Sequence, residues 1–289
     1  MSINVIDLFS GCGGLSDGFL KSGSYKTLAA VDWQRPPIET LQHRLVDRYG
    51  YSSDTIQDKV FHFDIQRTDD LLHGYQDSKY GSSDGLIDIV GSNNVDLIIG
   101  GPPCQAYSIA GRVQDENGMR DDYRNYLFES YIKIVKHFQP KFFIFENVPG
   151  ILSAKPGGDL ITTRIRSAFY DAGYVIPEDL KKTALFDLSS FGVPQKRKRV
   201  IIFGVRIEDG ETPIDLFYEQ MNSFKQEKKI TAWESIHDLP TLLPVKNGSN
   251  KKISHTCPIE HVFSNHEPRF HNERDINIFR TLAEDIHSG

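Results

Sequence analysis

The sequence predicts an α/β fold, a mostly parallel sheet covered by helices on both faces. Three observations point there. Short apolar runs at 3–9, 26–31, 60–63, 95–99, 141–145 and 200–203 alternate with stretches of helical periodicity. Most of the runs end in a polar or glycine-rich turn, as strands do when ligands collect at their carboxyl ends. The first run is followed by a glycine-rich turn and then a helix, the opening of a nucleotide-binding βαβ unit.

Taken in order, the first run leads into Asp7-Leu8-Phe9-Ser10-Gly11-Cys12-Gly13-Gly14, and a helix begins near Leu15 with Leu15, Phe19 and Leu20 on one face. Glycines let backbone approach a ligand closely, and the helix start presents free N–H groups. The second run ends at Asp32, 18 residues after Gly14, where an acid can accept hydrogen bonds from ribose hydroxyls. Ser16 stands where a dinucleotide fingerprint has its third glycine. The turn therefore suits an adenosine-type cofactor, and a purely structural turn remains open. Pro36-Pro37 open a helix running to about Arg48, and the third run ends at Asp64-Ile65. Residues 66–94 are polar and read as a helix and loop feeding the fourth strand.

That strand presents Gly100-Gly101-Pro102-Pro103-Cys104-Gln105, a single cysteine on a turn stiffened by two prolines. The loop from Gln105 to Asp122, with Gly111 and Gly118 as hinges, is long enough to close over a substrate. Taken alone, the turn equally fits a small buried cysteine. Leu127, Tyr131, Ile134, Val135 and Phe138 mark a helix over 123–138 that Gln139-Pro140 stops. The fifth run ends in Glu146-Asn147-Val148-Pro149-Gly150. A helix over 160–172 follows, then the turn Ser190-Phe191-Gly192-Val193-Pro194, then Gln195-Lys196-Arg197-Lys198-Arg199 running into the sixth strand. From Gly210 the pattern weakens. Residues 231–239 read as a capped helix stopped by Pro240, and the remainder is polar and His-rich. The spacings of His255, Cys257, His261, His266 and His271 match no common zinc site, so no metal is expected.

With 289 residues, 39% of them hydrophobic, the chain can bury one large core. The domain expectation is a catalytic part over 1–210 and a connector over 211–289. No apolar run reaches the length of a membrane span, and the N-terminus reads as a strand rather than a signal peptide. Three scattered cysteines fit a reducing cytoplasm. The formal charge is −6, yet Lys181, Lys182, Lys196, Arg197, Lys198 and Arg199 face only Asp187 between positions 181 and 200. Such a strip can bind phosphates on an acidic protein, because distant charges are screened; a solvated charged turn fits it too.

Strand ends thus carry a thiol (Cys104), an acid (Glu146) and a guanidinium (Arg199), beside a glycine-rich turn. A thiolate attacking an electron-poor ring needs an acid at the ring nitrogen and a cation at the ring oxygen. At these residues the sequence resembles the DNA (cytosine-5) methyltransferases. Asp7-Leu8-Phe9-Ser10-Gly11-Cys12-Gly13-Gly14 is similar to their S-adenosylmethionine loop and Gly101-Pro102-Pro103-Cys104-Gln105 to their nucleophile motif. Glu146-Asn147-Val148 is similar to their acid motif, and Gly192-Val193-Pro194-Gln195-Lys196-Arg197-Lys198-Arg199 to their basic motif. The four stand in family order over roughly residues 3–205.

The resemblance implies a Rossmann-like S-adenosylmethionine-dependent methyltransferase fold and a role for each residue. Phe9 packs against the cofactor adenine, Gly11 and Gly13 line the methionine end, Asp32 holds the ribose, and Trp33 stacks on the adenine. Asp64 takes the adenine amino group with Ile65 beside it, and Pro103 belongs to the same cofactor-side set. Cys104 attacks C6 of a cytosine flipped out of double-stranded DNA. Glu146 bonds N3 and the exocyclic amine, Arg199 bonds O2, and Arg197 supports the loop near Cys104. The residues alone leave simpler roles open: core positions for Phe9 and Ile65, a surface aromatic for Trp33, a structural ion pair for Glu146 and Arg199.

The resemblance stops short of a target-recognition domain and of the segment that returns to complete the cofactor pocket. His266-Glu267-Pro268-Arg269-Phe270-His271 onward is similar to the entry to that second domain. The expectation is a truncated product or one subunit of a split enzyme, holding the chemistry without the specificity. It would work in the cytoplasm, at the nucleoid, in a bacterial or phage modification system. The same chemistry on tRNA is the alternative, although nothing like the Cys-Phe-Thr element of the tRNA-methylating relatives is present. An inactive S-adenosylmethionine-binding fragment is another.

Overall fold

The computed structural model describes residues 2–103, 127–155, 158–244, 255–257 and 270–288. Cys104, the loop from Gln105 to Asp122, His261 and His266 lie outside the described residues. The chain divides into two compact units, Met1–Lys228 and Lys229–Gly289.

The first unit opens with β1 (Ile3–Leu8), α1 (Gly14–Leu20), β2 (Tyr25–Asp32), α2 (Arg35–Tyr49), α3 (Ile56–Lys59) and β3 (Val60–His62). Next come α4 (Thr68–His73), the hairpin β4 (Tyr75–Asp77) and β5 (Gly81–Ser83), α5 (Gly85–Val90) and β6 (Leu97–Gly100). Beyond residue 126 stand α6 (Leu127–Phe138), β7 (Phe142–Asn147), α7 (Ile161–Asp171), β8 (Tyr174–Val175), α8 (Leu180–Thr183), β9 (Leu185–Asp187), β10 (Lys198–Arg206) and α9 (Thr212–Ser223). The main sheet runs β3-β2-β1-β6-β7-β10-β8, with β9 also on β10. The strands from β3 through β7 are parallel, and β10 is antiparallel to β7.

The mostly parallel, helix-covered sheet agrees with the sequence expectation. Leu41, Leu45, Ile38 and Val60 pack on one side, while a larger cluster containing Tyr131, Phe143, Phe169 and Ile98 fills the remainder of the core. Tyr131 sits under two strands at once, its hydroxyl 3.0 Å from the carbonyl oxygens of Ile98 and of Ile144. Phe143 stacks on Phe169 with centroids 4.1 Å apart, and Gly204 leaves room for the Phe143 ring on the neighbouring strand. Chain order reverses between β1 and β6, so the crevice of an open sheet falls beside their ends. A side chain at Gly100 would collide with the Leu8 carbonyl there.

Two differences from the sequence reading have physical causes. Residues 66–94 hold two short helices and a hairpin rather than one helix and loop, because the three-residue strands are too short to show an alternation. The last long strand spans Lys198–Arg206 instead of 200–203, since its charged start belongs to the ladder with β9. On the edge away from β7, between its partners β9 and β8, β10 lacks a neighbouring strand over its middle among the described residues. Tyr218 fills that gap: its hydroxyl accepts from Phe203 N at 3.0 Å and donates to Ile201 O at 2.8 Å. Through Tyr218 and Ile214, both buried, α9 packs with the main sheet, and the first unit runs to Lys228.

The second unit contains α10 (Ala232–Ile236), β11 (Leu243–Pro244), β12 (His255–Thr256) and α11 (Glu273–Ser288). Thr231 and Glu234 form a reciprocal capping box at the start of α10, the cap anticipated for 231–239. Among the described residues no helix is long and apolar enough to cross a membrane.

Candidate active site

The ends of β1, β2, β3, β6 and β7 meet at one edge of the sheet, and the start of β10 joins them because it runs the other way. On the β1–β3 side, Phe9 leaves β1 at φ 59°, a left-handed conformation rare for a bulky residue, and its side chain packs partly buried against the core. Gly11 and Gly13 follow at φ 54° and 83°, where glycine carries no penalty. The turn is held by Ser10 N donating to Val31 O at 3.0 Å and by Gly11 N donating to Asp32 Oδ2 at 2.9 Å. The other oxygen of Asp32 accepts from Gln34 N at 2.9 Å, which fixes the chain on either side of Trp33. The Trp33 indole is 54% exposed. Asp64 turns the chain after β3, accepting from Gln66 N at 3.1 Å, and Ile65 is buried in the core.

These residues fit an adenosine-type cofactor. Among the described residues, no atom beyond Gly11 and its chain neighbours lies within 4 Å of where a Cβ on Gly11 would stand, so the space above the turn is open on that count. A carboxylate has about four lone-pair sites, and the two described bonds leave Asp32 capacity for a vicinal diol.

Beneath the turn, Asp7 is fully buried. Its Oδ2 accepts from the Ser16 hydroxyl at 2.5 Å, while Oδ1 has no hydrogen-bond partner among the described residues. Burial pushes its pKa up to about 7 against the opposing hydrogen bonds from Ser16, with a smaller push from the charge of Asp32. Ser16, the departure from the glycine fingerprint, thus ties the start of α1 to β1.

On the β6–β10 side, Arg199 Nε meets Glu146 Oε1 at 2.7 Å, with the two side chains 18% and 25% exposed. Arg199 also donates from Nη1 to the Lys198 carbonyl at 2.8 Å. Glu146 lies against the proline turn: a Cβ at Gly101 would stand 3.0 Å from Glu146 Oε2. Asn147 Nδ2 donates to Pro102 O at 3.2 Å and pins that turn, with Pro103 half-buried beside it. Cys104, one residue further, lies outside the described residues. Arg197 is exposed, and its carbonyl accepts from Leu188 N at 2.8 Å; the loop assigned to it also lies outside them.

The structure therefore brings Gly11 to Asp32, and Glu146 to Arg199 and to the Gly101–Pro103 turn. Sequence reading missed the Ser16 bond to Asp7 and the role of Asn147, although both residues stand inside motifs it quoted. It also missed His62, whose Nε2 lies 2.9 Å from the Trp33 carbonyl and which no motif flags. Among the described residues, no three His, Cys, Asp or Glu side chains cluster as metal ligands.

Residues 3–284 match the family of C-5 cytosine-specific DNA methylases. The chain belongs to that family. It is 34% identical to the type II methyltransferase M.Bpa9945I of Bacillus paralicheniformis, over 99% of this chain and 75% of the relative. It is 31% identical to the type II methyltransferase M.DdeI of Desulfomicrobium norvegicum, over 92% of this chain and 59% of the relative. An E. coli prophage-encoded DNA modification methyltransferase of known structure aligns with TM-score 0.56 and 25% identity, covering 86% of this chain and 59% of that one. The C-5 methylase family and this structural neighbour agree with the Rossmann-like methyltransferase fold expected from the motifs. The chain spans about three fifths of M.DdeI and of the structural neighbour, and three quarters of M.Bpa9945I.

Proposed function

We propose that this C-5 methylase transfers a methyl group from S-adenosylmethionine to C5 of a cytosine flipped out of double-stranded DNA. The observation that carries the reading is the Arg199–Glu146 pair packed against the Gly101-Pro102-Pro103 turn that leads into Cys104. The Cys104 thiolate adds to C6, forming a sulfur–carbon bond as the C5–C6 π electrons shift onto C5. Glu146 bonds N3 and the exocyclic amine, Arg199 bonds O2, and together they take up the charge that develops on the ring. S-adenosylmethionine, when bound, would supply the electrophilic methyl carbon that C5 takes, its sulfonium carbon–sulfur bond breaking to leave S-adenosylhomocysteine. Transfer of the C5 proton to water then re-forms the C5–C6 double bond, breaks the C6–sulfur bond and returns the thiolate. Arg197 supports the Cys104 loop.

Phe9, Gly11, Gly13, Asp32, Trp33, Asp64, Ile65 and Pro103 form the cofactor side. The open space above Gly11 and the bond from Gly11 to Asp32 support this assignment. Target recognition would rest on residues other than these, and the protein would act at the nucleoid.

The test is transfer of labelled methyl to duplex DNA and to tRNA, with Cys104→Ser as control. Label recovered as 5-methylcytosine in DNA, and lost in the control, is the expected result. Label in tRNA alone would move the substrate to RNA. Label surviving Cys104→Ser would overturn the covalent route.

A further inference from the structure

Trp33 is the most exposed of the residues assigned to the cofactor, yet its backbone is clamped on both sides. Asp32 Oδ1 receives the N–H of Gln34 at 2.9 Å, and the Trp33 carbonyl faces His62 Nε2 at 2.9 Å. A carbonyl only accepts, so that ring nitrogen carries the proton. His62 stands opposite Asp32 in the β2–β3 ladder, one strand out from the turn that holds the glycine loop.

His62 is itself braced. The Tyr80 ring meets it edge-on, centroids 4.8 Å apart at 61°. Tyr80 lies in the turn of the β4–β5 hairpin, and that hairpin is fastened to the end of β3. Tyr75 stacks on Phe63 at 3.9 Å and 20°, and Arg67 Nη1 binds Asp77 Oδ2 at 2.6 Å. Asp77 Oδ1 in turn receives the N–H groups of Lys79 and Tyr80 at 2.7 and 3.1 Å. A continuous set of contacts thus runs from the hairpin through Tyr80 and His62 to the Trp33 backbone.

We propose that His62 is a positioning residue for Trp33, and that the hairpin over residues 75–83 buttresses it. The hydrogen bond from His62 holds the Trp33 peptide and so fixes where the exposed side chain leaves the backbone, set to stack on the adenine of the cofactor. A backbone held before binding has less freedom to lose on binding. The proposal rests on the reading of Trp33 as the adenine-stacking residue.

Of the two tryptophans, Trp33 and Trp233, replacing the second (Trp233→Phe) leaves Trp33 as the only indole fluorophore. In that background, His62→Ala is expected to increase the fast component of Trp33 anisotropy decay and to weaken S-adenosylhomocysteine binding by about tenfold, the worth of one net hydrogen bond. His62→Gln keeps an N–H donor of similar reach and is expected to restore both, which a purely space-filling role would not predict. Unchanged Trp33 anisotropy in folded His62→Ala, or equal loosening in His62→Gln, would overturn the proposal. Trp33→Ala separates the two readings. If it leaves S-adenosylhomocysteine binding unchanged while His62→Ala loosens Trp33, the adenine assignment fails and the positioning contact stands.

Discussion

Arg199 Nε and Glu146 Oε1 stand 2.7 Å apart, joining the start of β10 to the end of β7. Mostly shielded from water, the pair orients both side chains at the strand edge that leads into Cys104. Removing either partner should therefore cost catalysis. Arg199→Ala and Glu146→Gln are each expected to lower methyl transfer to DNA by about 100- to 1,000-fold, the range for a preorganised electrostatic contact. Leaving one partner of a mostly buried pair alone also costs stability, so urea midpoints are measured alongside and rates compared where each variant is folded. Methyl transfer within a few-fold of the parent rate would refute the assignment.

Gly101 offers a subtler perturbation. A Cβ there would sit 3.0 Å from Glu146 Oε2, so Gly101→Ala must push the carboxylate aside while both residues of the ion pair remain. Methyl-transfer rate is expected to fall about tenfold or more, consistent with the sensitivity of catalysis to small misplacements. Cofactor affinity, measured by equilibrium dialysis, should not change. Equal loss of affinity and rate would show that the turn serves the whole site rather than Glu146.

Tyr218 supplies the hydrogen bonds that a strand would otherwise make to the middle of β10. Tyr218→Phe leaves the buried Phe203 N–H without its acceptor, a loss expected to cost about 1–3 kcal/mol. Urea denaturation should show a lower midpoint with an unchanged slope. A midpoint equal to the parent's would mean that water or a shifted strand replaces the hydroxyl.

Asp7 makes a prediction about pH. Its pKa rises from an ordinary 3.8 to about 7 on folding, chiefly through burial. A carboxyl that binds its proton more tightly when folded favours the folded state most below about pH 4, and that contribution is lost as pH rises toward 7. The full loss is at most about 4 kcal/mol. Asp7→Asn cannot ionise, so the stability difference between parent and variant should shift in the variant's favour as pH rises between those limits. Parallel stability curves from chemical denaturation would show that Asp7 is not titrating there.

Much of the architecture was legible because the strands of a sheet covered on both faces are apolar throughout. Residues such as Ile98, Ile99, Phe143 and Phe145 announce themselves without any need for alternation. The facing of Glu146 and Arg199 was readable as chemistry, since an acid and a guanidinium each stood at the edge of an apolar run. Other features left no local signal. His62 acts through a ring nitrogen on a main-chain carbonyl 29 residues away, a pairing that depends on strand register rather than on a motif. The direction of β10 is likewise invisible in composition, because an antiparallel partner of β7 is as apolar as a parallel one. The hairpin over 75–83 escaped because its strands are short and polar, and tertiary contacts from Phe63 and Arg67 hold it.

The reversed direction of β10 has a consequence for how such a site can change over time. The parallel strands deliver their residues to the site as they end, so the chain beyond each must turn away from the sheet. At β10 the chain instead arrives from the exposed stretch 194–197 and then enters the sheet, where the ladders with β9 and β7 and the Tyr218 hydroxyl secure it. That approach can lengthen, shorten or exchange its charges without altering the strand that fixes Arg199. Lineages could thus revise the charges of this approach while inheriting the strand that carries Arg199 intact, a division between an editable rim and a preserved floor.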